Sequence, residues 1–215
     1  MSDYDQLMNL IRSRRSIRQF TERMVSREDL QHLLEAAGWA PSNHNRQPWK
    51  FIVLEDPQQI ASLADLVRQE LTGKMKSLPE AAAAYASEFK HYATFFAQAP
   101  ALIVVSHKLP VSVSAPLLAG LKHPELVSGE PLSAAMAVQN LLLAAQALGL
   151  GTCVLTGPLL VPDALTGALA LPAGHELTCL VAVGHPAESP PPPRRKTIEQ
   201  IAEFRNNPRV HPVRP

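Results

Sequence analysis

Arg14-Arg15-Ser16-Ile17-Arg18 and Ala40-Pro41-Ser42-Asn43-His44-Asn45-Arg46-Gln47-Pro48-Trp49 are the two most informative stretches of this chain. The first concentrates guanidinium groups and a hydroxyl, which are the groups that bind a phosphate. The second places uncharged hydrogen-bonding side chains between two prolines, so it can present donors and acceptors to a polar ligand without forming a helix. Together they predict a phosphorylated cofactor that is rich in hydrogen-bonding groups.

The patterns outward from these stretches alternate between helical and strand-like spacing. Ser26, followed by Asp29, resembles a capping box that opens a helix, and Gly149 and Gly151 punctuate the end of a long helix. Helices are predicted over residues 5–14, 26–37, 60–71, 81–97, 133–148, 163–168 and 198–204, and strands over residues 49–54, 101–105, 151–155 and 177–184. We therefore expect an α and β class with a sheet covered by helices, and the arginine cluster in a connection between two helices.

Composition limits the class of protein. The chain has 215 residues, of which 46% are hydrophobic and 18% charged, so it is long enough for one large domain over residues 1–215. Within it, residues 190–193 are predicted to be a stiff linker before a C-terminal arm, residues 194–215. A net charge of +1 provides no global field to attract nucleic acid or an anionic membrane. The acidic N-terminus lacks the features of a signal peptide, so we expect a cytoplasmic protein.

Several other site types find no support in the sequence. Residues 132–162 carry no charge, but their amides, glycines and prolines favour a helix buried in a core or subunit interface over a membrane span. Cys153 and Cys179 lie in apolar contexts and are interpreted as buried, inert thiols. No pair of histidines has a helical ligand spacing with a third partner, so no metal site is predicted, and His44 is the one histidine inside the polar loop. The dinucleotide fingerprint, P-loop and nucleophile elbow are absent.

Both stretches also carry a family resemblance. Arg-Arg-Ser-x-Arg-x-Phe at residues 14–20 and Ala-Pro-Ser-x-x-Asn-x-Gln-Pro-Trp at residues 40–49 resemble the nitroreductase family of FMN-dependent oxidoreductases. The resemblance implies an α+β fold with a central mixed, mostly antiparallel sheet flanked by helices. It also implies an intertwined homodimer with FMN bound at the subunit interface.

The arginine cluster is assigned to the cofactor's phosphate and ring edge. Arg14 and Ser16 supply phosphate ligands, with Arg15 as a helper. Arg18 matches the position where the family places a lysine or arginine against the N1–O2 edge of the flavin, and it is expected to tune the flavin electrostatically. Without the second stretch, the same residues would be interpreted as a solvated basic turn.

The resemblance assigns the other contacts to three further segments. Pro41, Ser42, Asn43 and Asn45 are expected to contact the ribityl chain and ring edge from the partner subunit, although the loop alone would pass as a turn entering a strand. Thr156 and Gly157 match the segment whose backbone N–H faces flavin N5. Arg195 fits the arginine of a C-terminal Lys-Pro-Arg-like element, whose lysine position is Pro193 here. That departure leaves Arg194 and Lys196 as substitutes for Arg195 at the phosphate.

The function hypothesis is an FMN-dependent oxidoreductase that transfers hydride from NAD(P)H to an electron-poor acceptor, such as a nitroaromatic or quinone, in a ping-pong mechanism. No protein side chain is assigned as catalytic, because hydride transfer is the cofactor's own chemistry. The alternatives are a flavin or enone reductase of the same fold, a non-catalytic FMN-binding protein and a nucleic-acid-binding module, the last disfavoured by the neutral charge. The choice between NADH and NADPH and the role of residues 106–131 stay open.

Overall fold

In a computed structural model of the chain, residues 1–76, 79–109 and 129–205 are described. Seven α-helices lie within them: α1 Asp3–Ser13, α2 Arg27–Gly38, α3 Pro57–Met75, α4 Glu80–Thr94, α5 Gly129–Ala147, α6 Pro162–Leu169 and α7 Ile198–Ile201. Short 3₁₀ helices cover Asn43–Asn45, Phe95–Gln98 and Gly157–Leu160. The strands are β1 Trp49–Leu54, β2 Ala101–Lys108, β3 Gly151–Leu155 and β4 His175–Gly184.

The four strands form one sheet in the order β1-β2-β4-β3, and every neighbouring pair is antiparallel. A register shift interrupts the β2–β4 pairing between Val105 and Ser106, which is typical of a β-bulge. A single parallel bridge joins Ser16 to Thr152 at the outer edge of β3. The predicted mostly antiparallel sheet flanked by helices is therefore confirmed.

Helices cover both faces of this sheet because side chains alternate along each strand. On β2, Ala101, Ile103 and Val105 belong to a buried cluster with residues of α2 and α5. Leu102 and Val104 point to the other face, in a second buried cluster that includes residues of α3, α4 and α6. The sheet is consequently the middle layer of three.

Helix ends follow the capping residues that the sequence offers. Ser26 Oγ accepts a hydrogen bond from the Asp29 backbone N–H at 3.0 Å, as the capping pattern predicts, and α2 begins at the next residue. Gly149 has a φ of 72°, a left-handed conformation that suits glycine at the end of α5.

Several predicted elements have other bounds in the structure. Helix α3 covers Pro57–Met75 instead of residues 60–71, β2 extends to Lys108 instead of residue 105, and β4 begins at His175 instead of residue 177. The final helix was expected over residues 198–204 but ends at Ile201. A single turn with no buried side chain lacks the tertiary packing that would extend it.

Part of the least regular segment lies outside the described residues. Of residues 106–131, the structure describes the end of β2, Leu109 and the start of α5, while residues 110–128 are not described. Residues 206–215 of the predicted arm are likewise outside. Across the described ranges, no helix is long and apolar enough to cross a membrane.

Both cysteines are buried and free, as predicted. Burial raises the pKa of Cys179 to about 12, so this thiol is protonated and unreactive at neutral pH.

Candidate functional site

Residues 16–21, here called the clasped segment, are held between the outer edge of the sheet and the chain that follows β4. The Ile17 backbone N–H donates to the Thr152 carbonyl at 2.9 Å, which ties the segment to β3. At the other end, the Thr21 N–H donates to His185 O at 2.9 Å. The Ala187 N–H donates to Gln19 O, also at 2.9 Å. These bonds fix the backbone that carries Ser16 and Arg18.

Two glycines allow the clasped segment to lie this close to the sheet. A Cβ at Gly151 would lie 2.9 Å from Ile17 side-chain atoms. A Cβ at Gly184 would lie 2.6 Å from Pro100 and 2.8 Å from Phe20. Such distances are too short for non-bonded carbons, so larger residues at either position would displace the segment.

A basic cavity of about 250 Å³ lies at the start of the clasped segment. It is lined by Arg14, Arg15, Ser16, Arg18, Pro190, Pro191, Pro193 and Arg195. Four arginines and one serine therefore line one cavity, and none of the described carboxylates lines it. The proline-rich linker forms its wall and brings Arg195 opposite the N-terminal cluster, whereas neither Arg194 nor Lys196 is a lining residue.

Two hydrogen bonds hold the Arg15 side chain against the backbone. Its Nη1 donates to the carbonyls of Arg12 at 2.6 Å and Arg14 at 2.8 Å, which stabilises the turn that follows α1. Its Nε is buried and has no hydrogen-bond partner within the described chain. A buried N–H donor without an acceptor is costly.

An aromatic cavity of about 210 Å³ shares Arg18 with the basic cavity. Its walls are Phe89, Tyr92, Ala93 and Phe95 on one side and Cys153, Val154, Leu155, Thr156 and Gly157 on the other. The Arg18 guanidinium lies 5.8 Å from the centre of the Tyr92 ring, within cation–π range. Thr156 and Gly157 thus line the same cavity as Arg18.

Two neighbours of Arg18 were missed by sequence reasoning. The Glu188 carboxylate accepts hydrogen bonds from the backbone N–H groups of Arg18 at 2.5 Å and Gln19 at 3.1 Å. Cys153 lines the aromatic cavity, and burial raises the pKa of its thiol against the opposing effect of Arg18 and Arg14. No motif signals either residue, because both are brought to Arg18 by sheet pairing.

The polar loop Pro41–Asn45 lies elsewhere, against the start of α5. The Asn43 N–H donates to Ser133 Oγ at 3.2 Å, and Ser42 Oγ accepts from the Gln47 N–H at 3.0 Å. None of its residues lines the basic or the aromatic cavity. The predicted site residues therefore fall into three groups. The basic cavity is lined by Arg14, Arg15, Ser16, Arg18 and Arg195, and the adjoining aromatic cavity by Thr156 and Gly157. The loop residues Pro41, Ser42, Asn43 and Asn45 line neither cavity.

The backbone of this loop is unusual. His44, Asn45 and Gln47 have φ values of 50°, 52° and 46°. Non-glycine residues rarely adopt this left-handed region, and they cluster at functional sites when they do. His44 and Asn45 are residue types that tolerate this region, whereas Gln47, which follows the loop, is less often found there.

Comparison with known proteins identifies the family. The profile described as "Nitroreductase family" matches residues 11–185, which includes both polar stretches and all four strands. The chain belongs to the nitroreductase family. The predicted resemblance is confirmed.

Two curated relatives of this nitroreductase-family chain have different names. A putative NADH dehydrogenase/NAD(P)H nitroreductase from Archaeoglobus fulgidus is 31% identical, with 86% of this chain and 87% of the relative covered. Iodotyrosine deiodinase 1 from Rattus norvegicus is 28% identical, with 89% of this chain and 67% of the relative covered. The relatives therefore agree on the family but differ in the reaction that their names give.

Solved structures share the fold. A BluB-like flavoprotein from Clostridium difficile 630 has 28% identity and a TM-score of 0.79, with coverage of 92% of this chain and 98% of that one. A nitroreductase from Desulfitobacterium hafniense DCB-2, solved with bound FMN, has 24% identity and a TM-score of 0.71, with 95% and 100% covered. At 24% identity, the second comparison supports the fold alone.

Proposed function

We propose that this chain is an FMN-dependent oxidoreductase that passes hydride from NAD(P)H through bound FMN to an electron-poor acceptor, such as a nitroaromatic or a quinone, in a ping-pong mechanism. The observation that carries this proposal is the basic cavity, where four guanidinium groups and Ser16 converge without a lining carboxylate. A phosphate monoester with nearly two negative charges at neutral pH suits this donor set. FMN-bound members of the fold support the choice of cofactor.

Within the basic cavity, Arg14, Ser16 and Arg195 would hold the phosphate, and Arg15 would add positive charge beside them. The carbonyls of Arg12 and Arg14 hold the Arg15 side chain, so little further side-chain entropy would be lost on binding.

Arg18 links the basic cavity to the aromatic cavity because it lines both. Hydride chemistry would come from FMN itself, whose N1–O2 edge gains negative charge on reduction. Arg18 would place a positive charge at that edge, and the aromatic walls would pack beside the ring. Thr156 and Gly157 would present backbone donors toward N5, as the resemblance implies.

A second copy of the chain would complete the site. The polar loop lies outside both cavities of its own chain, so in a homodimer its side chains would reach the partner's cofactor. Exposed apolar side chains on α1, α5 and the end of α2 provide a surface for that partner: Leu7, Ile11, Leu132, Met136 and Trp39, of which Trp39 is 82% exposed. The left-handed backbone of the loop is consistent with a binding role.

The absorbance spectrum tests the cofactor and the donor together. The purified protein is expected to be yellow, and anaerobic addition of NADPH or NADH is expected to bleach the flavin band. A colourless protein that gains no flavin absorbance with excess FMN would overturn the proposal. Flavin that neither nicotinamide reduces would instead indicate a non-catalytic FMN-binding protein.

The acceptor requires a separate comparison. Steady-state rates with nitroaromatics, quinones and enones would separate the proposed activity from a flavin or enone reductase. The deiodinase relative favours a second candidate, reductive removal of halogen from a halophenol. Iodide release from an iodophenol by the prereduced protein would support this candidate, and its absence alongside rapid quinone reduction would exclude it.

A further inference from the structure

A third and larger cavity, here called the outer cavity, has a volume of about 580 Å³ and shares only Arg18 with the basic cavity. It lies between the clasped segment and the end of α4, and its charged lining residues are Arg18, Arg68, His91 and Glu188. This volume is in the range of small-molecule sites. It is large enough for a ligand of more than one functional group.

Arg68 is the distinctive cation of the outer cavity, because it lines neither the basic nor the aromatic cavity. Its Nη2 lies 3.5 Å from Thr94 Oγ1, and that buried hydroxyl is itself fixed by donation to Lys90 O at 2.8 Å. Nη1 pairs with Asp65 one turn away on α3, and both side chains are about half exposed. Such an exposed pair is weak, so a ligand anion can compete for the guanidinium.

The acidic residue of the outer cavity, Glu188, already accepts two hydrogen bonds. Glu188 accepts the Arg18 and Gln19 backbone N–H groups, and these bonds compensate much of its charge. The remaining walls combine aromatic side chains, namely Phe20, Tyr92 and Phe95, with two alanines and the polar residues Gln19, Thr94 and Gln98. The cavity therefore combines two guanidinium groups with ring-stacking surfaces.

We propose that the outer cavity binds a small aromatic carboxylate, with Arg68 and Arg18 as the partners of the carboxylate and the aromatic side chains as the partners of its ring. The planar guanidinium fork matches a carboxylate better than a point charge does. Binding would not require FMN. A coupling to the flavin through the shared Arg18 rests on the proposed function.

Isothermal titration calorimetry with benzoate as the probe tests the site. Benzoate is expected to bind at least about tenfold more tightly than acetate, which lacks the ring, or benzyl alcohol, which lacks the charge. Arg68→Gln is expected to weaken benzoate binding about tenfold or more. Arg27→Gln is the matched control, because Arg27 pairs with Glu55 on the surface and lines none of the three cavities, and it should change the affinity less than twofold.

If Arg68→Gln leaves benzoate binding unchanged, the ligand lies elsewhere and the proposal is wrong. Equal affinities for benzoate and acetate, or no benzoate binding at all, would also overturn it. If Arg68→Gln does not fold, Arg68→Lys keeps the charge beside Asp65 but loses the fork, and a weakened affinity is again expected. Calorimetry reads the result with or without FMN, so failure of the cofactor proposal is seen separately in the absorbance spectrum. In flavin-loaded protein, benzoate should make the flavin potential more negative, because the carboxylate offsets the charge of Arg18.

Discussion

The basic cavity and the polar loop Pro41–Asn45 differ in how much of a binding site one chain completes. The basic cavity is assembled within a single chain, from residues 14–18 and Arg195. The loop is equally well fixed, by hydrogen bonds to Ser133 and within itself, yet it lines no part of that cavity. One chain therefore assembles the proposed phosphate site by itself, whereas the loop would contribute to a site only in the proposed homodimer.

The largest expected effect is a loss of FMN affinity when the basic cavity is changed. Replacing both cavity arginines, in Arg14→Ala/Arg195→Ala, should weaken FMN binding by more than about a hundredfold, because each charged hydrogen bond is worth roughly 1.5–3 kcal/mol. Fluorescence titration of the apoprotein with FMN measures the change. Arg27→Ala, at an exposed arginine outside the cavity, is the control. Equal losses in the control and the double variant would mean that the cavity is not the phosphate site.

Mixed dimers test whether the loop acts on the partner. One chain carries Arg14→Ala/Arg195→Ala, and the other carries Asn45→Asp, which preserves a residue type that tolerates the φ of 52°. If the loop serves the partner's cavity, one of the two sites in the mixed dimer is intact, and about one FMN per two chains should be retained. If the loop serves its own chain, both sites carry a defect and FMN should be lost from both. Differently tagged chains and a flavin count per dimer distinguish these outcomes.

Charge at the ring edge should shift the flavin potential in opposite directions for two variants. Arg18→Ala removes the positive charge and should make the potential more negative, by an amount on the order of 1–3 kcal/mol. Glu188→Gln removes a negative charge but keeps an oxygen for the Arg18 N–H, so the potential should become less negative by a smaller amount. Equilibrium titration against reference dyes measures both. Shifts of the same sign would contradict the assignment of Arg18 as the tuner.

The smallest expected effect lies on the loop side of the molecule. His107 is buried opposite Trp49, the first residue of β1, and burial lowers the pKa of its ring despite Glu176 and Glu130. Below the unfolded pKa of about 6.5, the unfolded chain takes up a proton that the folded chain resists. The free energy of unfolding should therefore decrease as the pH falls from 7 to 5.

Urea unfolding at several pH values measures this dependence. His107→Gln keeps a polar group for Thr178, whose Oγ1 lies 2.9 Å from His107 Nδ1, and should make the pH dependence shallower. An identical pH dependence in the variant would assign the acid sensitivity to other groups, such as His175, whose pKa burial also lowers.

Local signals explain why much of the fold was predictable. Strand β3 and strand β1 begin and end where the sequence patterns place them, and Ser26 caps α2 as expected. These features depend on residues near one another in the chain. The final helix failed because its predicted length depended on packing that its exposed side chains do not make.

The site was predictable only where a motif carried it. Arg14, Ser16 and Arg18 belong to a motif that resembles the family's, whereas Glu188 and Arg68 have no local signature. Glu188 meets Arg18 because the chain after β4 pairs with the clasped segment, about 170 positions away in sequence. Such a contact follows from sheet topology, which single-sequence patterns do not specify.

Arg14 and Arg195 line the same cavity although they are far apart in the sequence, and this has a consequence for biosynthesis. A ribosome releases Arg14 early, and Arg195 follows about 180 positions later in the sequence. The proposed phosphate site can therefore form only after residue 195 has been synthesised.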